Sequence, residues 1–263
     1  MVKWLEEHCP INKARGLLAQ LKLASEFKNG IFSKYSYKLY KGCWVLAPKD
    51  EEFYKARFCF FVHGKGVERD AVSHSIVKPD EILGDAESLR FKMVAGFMSR
   101  AGVITIYAFY TGEEWFIFYY DRNEEVFKKL DPRKFFGKWP GRGRPGRNRR
   151  SWDVLLRKEY LEMDEELLME LYLYEKFYAD FLKDMHRVSV RDPYDVDGFI
   201  LSPSLPAVIP VEIKEKFPGK ESSGEKYFGI DVGRVLMLLR FCLPTDTNAF
   251  YIVREVRNDE ART

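Results

Sequence analysis

Two short segments constrain this chain more than any others: Asp195-Val196-Asp197-Gly198 and Val211-Glu212-Ile213-Lys214. Each mixes acids with β-branched residues in strict alternation, which is the pattern of a strand with two unlike faces. On such a strand Glu212 and Lys214 point one way while Val211 and Ile213 point the other. Asp195 and Asp197 share a parity, so either can face Glu212. A hairpin turning through Ser202-Pro203-Ser204-Leu205-Pro206 makes Asp197 and Glu212 cross-strand neighbours. Two carboxylates converging from different strands, with the backbone carbonyl of Ile213, suit a hard cation such as Mg²⁺ or Mn²⁺. Lys214 beside them is placed to orient or deprotonate a water, or to oppose negative charge developing on a phosphate. The residue pattern leaves its role open.

Composition narrows the class. At 263 residues and 46% hydrophobic content, the chain can build a real core and has room for two modest domains. A net charge of +3 does not by itself argue for nucleic acid, so any such argument rests on local charge. Cys9, Cys43, Cys59 and Cys242 form no close pair and no metal-type spacing, which fits a reduced, cytoplasmic protein. Residues Met1 to Pro10 lack an apolar signal core, and no run reaches the roughly 18–20 apolar residues of a membrane span. His8, His63, His74 and His186 are scattered and read as surface or core residues rather than ligands.

The chain is expected to be α/β. In the first 136 residues a helix is predicted over Ala14 to Phe27, and strands over Tyr35 to Leu46, Arg57 to Val62, Val103 to Tyr110 and Trp115 to Tyr120. This half reads as an α+β domain for substrate recognition or dimerisation, so a homodimer is open. Residues 137–150 crowd Arg142, Arg144, Arg147, Arg149 and Arg150 among glycines and prolines, with Trp139 and Trp152 nearby. That composition forbids regular structure and marks a linker. Planar guanidinium groups on a glycine-rich backbone also suit phosphate contacts, with tryptophan available to stack on a base or lie in the core.

Residues 151–263 hold the candidate chemistry. A long helix is predicted over Asp164 to Met185, capped by Asp164. Glu175 falls inside its apolar arc, where a carboxylate needs a cation or a proton as partner. Glu170, on the opposite rim, is the second choice. Strands are predicted over Arg187 to Val190, Val196 to Leu201 and Ala207 to Lys214, then a helix over Val232 to Phe241 and a strand over Ala249 to Val256.

A helix bearing an acid, an Asp in the next strand and Glu-x-Lys in the one after resemble the PD-(D/E)XK nuclease superfamily, over roughly Asp164 to Val256. The resemblance departs from the literal motif in having Val196, not proline, before Asp197. It implies a restriction-endonuclease-like core, a mixed sheet flanked by helices. Asp197 and Glu212 would be metal ligands, with Lys214 the catalytic lysine and Glu175 the helical acid. It also implies a Mg²⁺-dependent endonuclease acting on DNA, with RNA open as a substrate. Lys226 and Arg234 would occupy the place where such proteins present polar residues to nucleic acid. The alternative is a non-cleaving nucleic-acid-binding module of the same fold.

Overall fold

The structure, a computed structural model, describes residues 1–46, 58–137, 139, 151–188, 194–202, 207–216, 218–220 and 222–255. Helices α1 (Val2–His8) and α2 (Ile11–Lys28) open the chain, followed by strands β1 (Lys38–Leu46), β2 (Phe58–His63) and β3 (Ile76–Val77). Next come α3 (Pro79–Leu83), α4 (Asp85–Arg100), β4 (Ile104–Tyr110), β5 (Trp115–Asp121), β6 (Val126–Leu130), α5 (Pro132–Phe136), α6 (Val154–Leu161) and α7 (Glu165–Lys176). A π-helical stretch, Phe177–Met185, continues α7. The remainder is β7 (Tyr194–Ser202), β8 (Ala207–Lys216), the small hairpin β9 (Gly219–Lys220) and β10 (Lys226–Tyr227), α8 (Val232–Thr245) and β11 (Phe250–Glu255).

Among the described residues, nine strands form one mixed sheet in the order β11-β8-β7-β1-β2-β4-β5-β6-β3. Strand β1, from the first half of the sequence, lies between β7 and β2, so the sheet spans the expected boundary at 137–150. Helices cover both faces. Phe91, Val94 and Met98 of α4 and Met237 and Phe241 of α8 pack on one side with Cys43, Phe61, Tyr107, Val196 and Phe199. On the other, Leu173 of α7 and Phe177 pack on Trp44, Phe60 and Ile106, while Ala19 and Phe27 of α2 pack on Ile200, Val211 and Ile213.

Most predicted elements are present, and their ends shift by a few residues. The Asp164 carboxylate accepts from the Glu166 and Leu167 amides at 3.0 and 3.1 Å, capping α7 as its chemistry predicts. One strand expectation is corrected. Arg187 adopts φ 48, a left-handed turn that ends the π-helical stretch, and Val188 drops into the core, so neither is in a strand. Residues 189 and 190 lie outside the described ones. Trp139 and Trp152 are both core residues, 3% and 7% exposed, and therefore not available to stack on a base.

Two irregularities in the sheet shape the site. Backbone pairing of β1 with β2 is confined to Trp44–Leu46 against Phe58–Phe60, so toward Lys38 the two strands part. Between β1 and β7 the register is continuous, yet the Gly42–Asp197 pair is missing from it. Tyr40 and Cys43 face the same core, as do Val196 and Phe199, although three-residue spacing puts strand side chains on opposite faces. Both strands therefore break alternation at Gly42 and Asp197. Glycine is required here, since a Cβ on residue 42 would stand 2.2 Å from the Val196 carbonyl oxygen.

Candidate functional site

The break leaves Asp197 one step past the last β7–β8 backbone pair, Gly198 with Val211. Its Oδ2 accepts from the Ile213 amide at 2.6 Å and its Oδ1 from Gln20 Nε2 of α2 at 2.7 Å. The carboxylate thus ties β8 and α2 to the point where the β7 and β8 backbones separate.

Strand β8 presents Val211 and Ile213 to the α2 core and Glu212 to the other side. Glu212 is fully buried (0% exposed). Lys214 Nζ lies 2.6 Å from its Oε1 and Arg234 Nε lies 3.4 Å from the same atom. Among the described residues neither Glu212 oxygen receives a hydrogen bond of good geometry. Arg234, from the first turn of α8, also binds Asp195 through Nη2 at 2.7 Å and the Asp195 carbonyl through Nη1 at 2.8 Å. It is therefore an internal clamp on the acids.

The electrostatics follow from crowding. Burial, then the charges of Asp195 and Glu212, push the Asp197 carboxyl well above its ordinary range. Burial also raises Glu212, against the pull of Arg234 and Lys214. For Lys214, burial favours the neutral amine, but Asp197 and Glu212 outweigh it and hold the group above its usual value. Lys214 is thus an ammonium at neutral pH. It stands beside the two acids as a positive charge.

Glu175 is 3% exposed, and its partner is Lys13 of α2, 2.5 Å from Oε2, with the Cys9 thiol at 3.9 Å. Its Oε1 has no hydrogen-bond partner among the described residues, nor has the hydroxyl of the neighbouring Tyr174. Lys13 feels the charges of both Glu175 and Asp195, and Tyr174 those of Asp195, Glu175 and Asp197. Among the described residues no three His, Cys, Asp or Glu side chains are gathered so as to hold a metal ion.

Of the other expected contacts, Lys226 stands exposed on β10 and pairs with Glu255 at 3.6 Å, outside this cluster. Arg142, Arg144, Arg147, Arg149 and Arg150 lie outside the described residues. Glu170 lines a cavity of about 410 Å³ between α2, α7 and β1, and Asp197 and Ile213 line it too. The four cysteines are buried free thiols. No helix among the described residues is long and apolar enough to cross a membrane.

Sequence reasoning missed several residues. Lys13 and Gln20 are seven apart on α2, two helical turns, and that spacing could have marked them as one polar edge beside the buried Ala14, Leu17 and Leu21. A second buried cluster was also missed. Lys41 sits where β1 parts from β2, with Glu87 Oε1 at 3.1 Å and His63 Nδ1 at 3.2 Å. Burial pulls Lys41 down, but Tyr107, Glu170 and Glu87 hold it above its ordinary value. Burial and the Lys41 charge push His63 down to about 3, so it is neutral. These residues come from β1, β2 and α4, and no local spacing connects them.

No family model matches the chain, and no curated protein or solved structure is found similar to it.

Proposed function

We propose that this protein is a metal-dependent endonuclease that hydrolyses DNA phosphodiester bonds, built on a restriction-endonuclease-like core of β1, β7, β8, α8 and β11. The observation that carries the reading is that Asp197, held to the Ile213 amide, lies where the β7–β8 ladder ends, beside the β8 segment that carries the Glu212–Lys214 ion pair. Around it stand three acids, Asp195, Asp197 and Glu212, and two cations, Lys214 and Arg234, a formal excess of one negative charge. Burial first, and that excess after it, raise the affinity of Asp197 for a proton, and a divalent cation can take the proton's place. The buried Glu212 Oε2, which has no hydrogen-bond partner among the described residues, fits the same cation. With it the cluster becomes singly positive, complementary to one phosphodiester.

Asp197 and Glu212, with the backbone of Ile213, would hold Mg²⁺ or Mn²⁺, which supplies an activated water and charge neutralisation at the phosphate. The Lys214 ammonium opposes the charge that builds on the phosphoryl oxygens. Arg234 keeps Asp195 and Glu212 from repelling each other apart. Gln20 and the Ile213 amide fix the plane of the Asp197 carboxylate. The arginines at 142–150 are assigned to the nucleic-acid backbone, a contact that weakens steeply with salt.

A second reading, a non-cleaving nucleic-acid-binding module, is favoured by one observation: among the described residues no three His, Cys, Asp or Glu side chains are gathered so as to hold a metal ion. Purified protein incubated with Mn²⁺ and mixed DNA substrates separates the two. The nuclease reading expects cleavage that disappears in Asp197→Asn and Lys214→Ala. No cleavage, with salt-sensitive binding unchanged in Glu212→Gln, supports the module.

A further inference from the structure

The cavity of about 410 Å³ beside Asp197 lies within the range of pockets that enclose a small ligand. Leu21, Leu39 and Leu171 give it apolar walls. Its polar lining balances: Lys28, Lys38, Lys41 and Arg90 stand against Glu87, Glu166, Glu170 and Asp197. Lys41 is already paired with Glu87, and Lys28 with Glu166. Such a cavity repels a phosphate as much as it attracts one. It suits an uncharged, flat group with apolar faces and an edge of donors and acceptors, and that describes a nucleobase. Tyr174 forms part of the wall and its buried hydroxyl has no partner among the described residues. Its ring is fixed by stacking on Trp44, with centroids 4.9 Å apart and planes 9° apart. The ring therefore gives the cavity one fixed, flat wall. A duplex is far too wide to enter, whereas a single unstacked base fits.

We infer that this cavity receives one unpaired nucleobase of the substrate, next to the phosphate handled at Asp197, so that the protein acts on single strands or frayed ends and not on intact duplex. The inference deepens the nuclease reading and rests on it for the identity of the ligand. Its test does not use cleavage. An oligonucleotide of about 20 residues carrying one 2-aminopurine is titrated with the protein in EDTA, as single strand and as duplex. Single-strand affinity is expected to exceed duplex affinity about tenfold or more, the factor one well-stacked base contributes. The 2-aminopurine fluorescence should change on binding, and free nucleoside (2′-deoxyadenosine) should compete for the cavity. Ala24→Trp fills the cavity from α2 and should remove both the preference and the nucleoside competition; Ala24→Phe is the milder filler if the first variant does not fold. Equal affinity for duplex, or competition by inorganic phosphate but not by nucleoside, overturns the inference. Single-strand binding intact in a folded filler variant overturns it as well. Because every reading is taken without a divalent ion, a failed cleavage assay with these bindings intact would reject the nuclease reading alone.

Discussion

Asp197 binds the Ile213 amide through its carboxylate, 2.6 Å from oxygen to nitrogen, at the point where backbone pairing between β7 and β8 has ended. A side chain has taken over a donor in the strand that carries Glu212 and Lys214, and the acid is thereby held against its neighbours on β8. Several measurable consequences follow from this and from the two buried clusters around it.

Asp197→Asn and Glu212→Gln each remove a candidate cation ligand while preserving shape. Both are expected to keep the fold and to lower Mn²⁺-dependent cleavage by about a hundredfold or more. In Glu212→Gln, Lys214 loses its ion-pair partner but is part-exposed, and Arg234 keeps Asp195, so a thermal melt should fall only modestly. Gel-based cleavage and circular dichroism on the same samples check the two halves.

Gln20→Ala leaves Asp197 Oδ1 without its donor on α2. The expected loss is about 1–2 kcal/mol of stability and about ten- to hundredfold in kcat with little change in KM, because the acid is misplaced but still present. A KM increase with kcat intact would assign Gln20 to substrate contact instead.

Gly42→Ala places a Cβ 2.2 Å from the Val196 carbonyl and 2.7 Å from that of Asp197. Both are backbone atoms, so relief requires β1 and β7 to move apart. A destabilisation of about 1–3 kcal/mol is expected, seen as a lower denaturation midpoint. Gly66→Ala is a weaker control, because there only the positive φ of 64 resists the substitution.

Lys13→Met leaves Glu175 buried without its cation. The Lys13 side chain is 36% exposed, so solvent screens the pair, and a cost of about 1–3 kcal/mol is expected rather than the larger figure for a fully buried bridge. The double variant Lys13→Met with Glu175→Met should recover most of it, since no charge is then stranded. Urea denaturation of the single and double variants gives the comparison.

His63 is pushed down to about 3 in the folded protein, against about 6.5 unfolded. Between these values the unfolded chain binds more protons, so stability rises with pH across that window. The His63 contribution is complete above about pH 6.5 and is lost as pH falls toward 3. Melting temperatures from pH 7 to pH 4 should drop less steeply in His63→Asn, whose amide oxygen can still accept from Lys41. Parallel slopes for both proteins would show that His63 is not the titrating group.

Much of the local structure was legible in the residues themselves. Alternation placed Val211 and Ile213 in one core and Glu212 with Lys214 on the other side, since side chains alternate wherever the pleat is unbroken. The same logic read Asp164 as a helix cap and Glu175 as a buried acid in need of a partner. What it could not read was the identity of that partner. Lys13 is 162 residues away in sequence, and only the packing of α2 on α7 brings the two together.

The amino-acid sequence by itself determined the elements and the faces they bury, because both depend on periodicities a few residues long. Tertiary structure alone decided that β1 lies between β7 and β2, that β1 and β7 break alternation together at Gly42 and Asp197, and that Arg234 turns inward to clamp Asp195 and Glu212. Those outcomes depend on which distant segments meet. The charge state of Lys214 belongs with them in part, since the ammonium there is stabilised by Asp197 on β7 as well as by Glu212 two residues before it on β8.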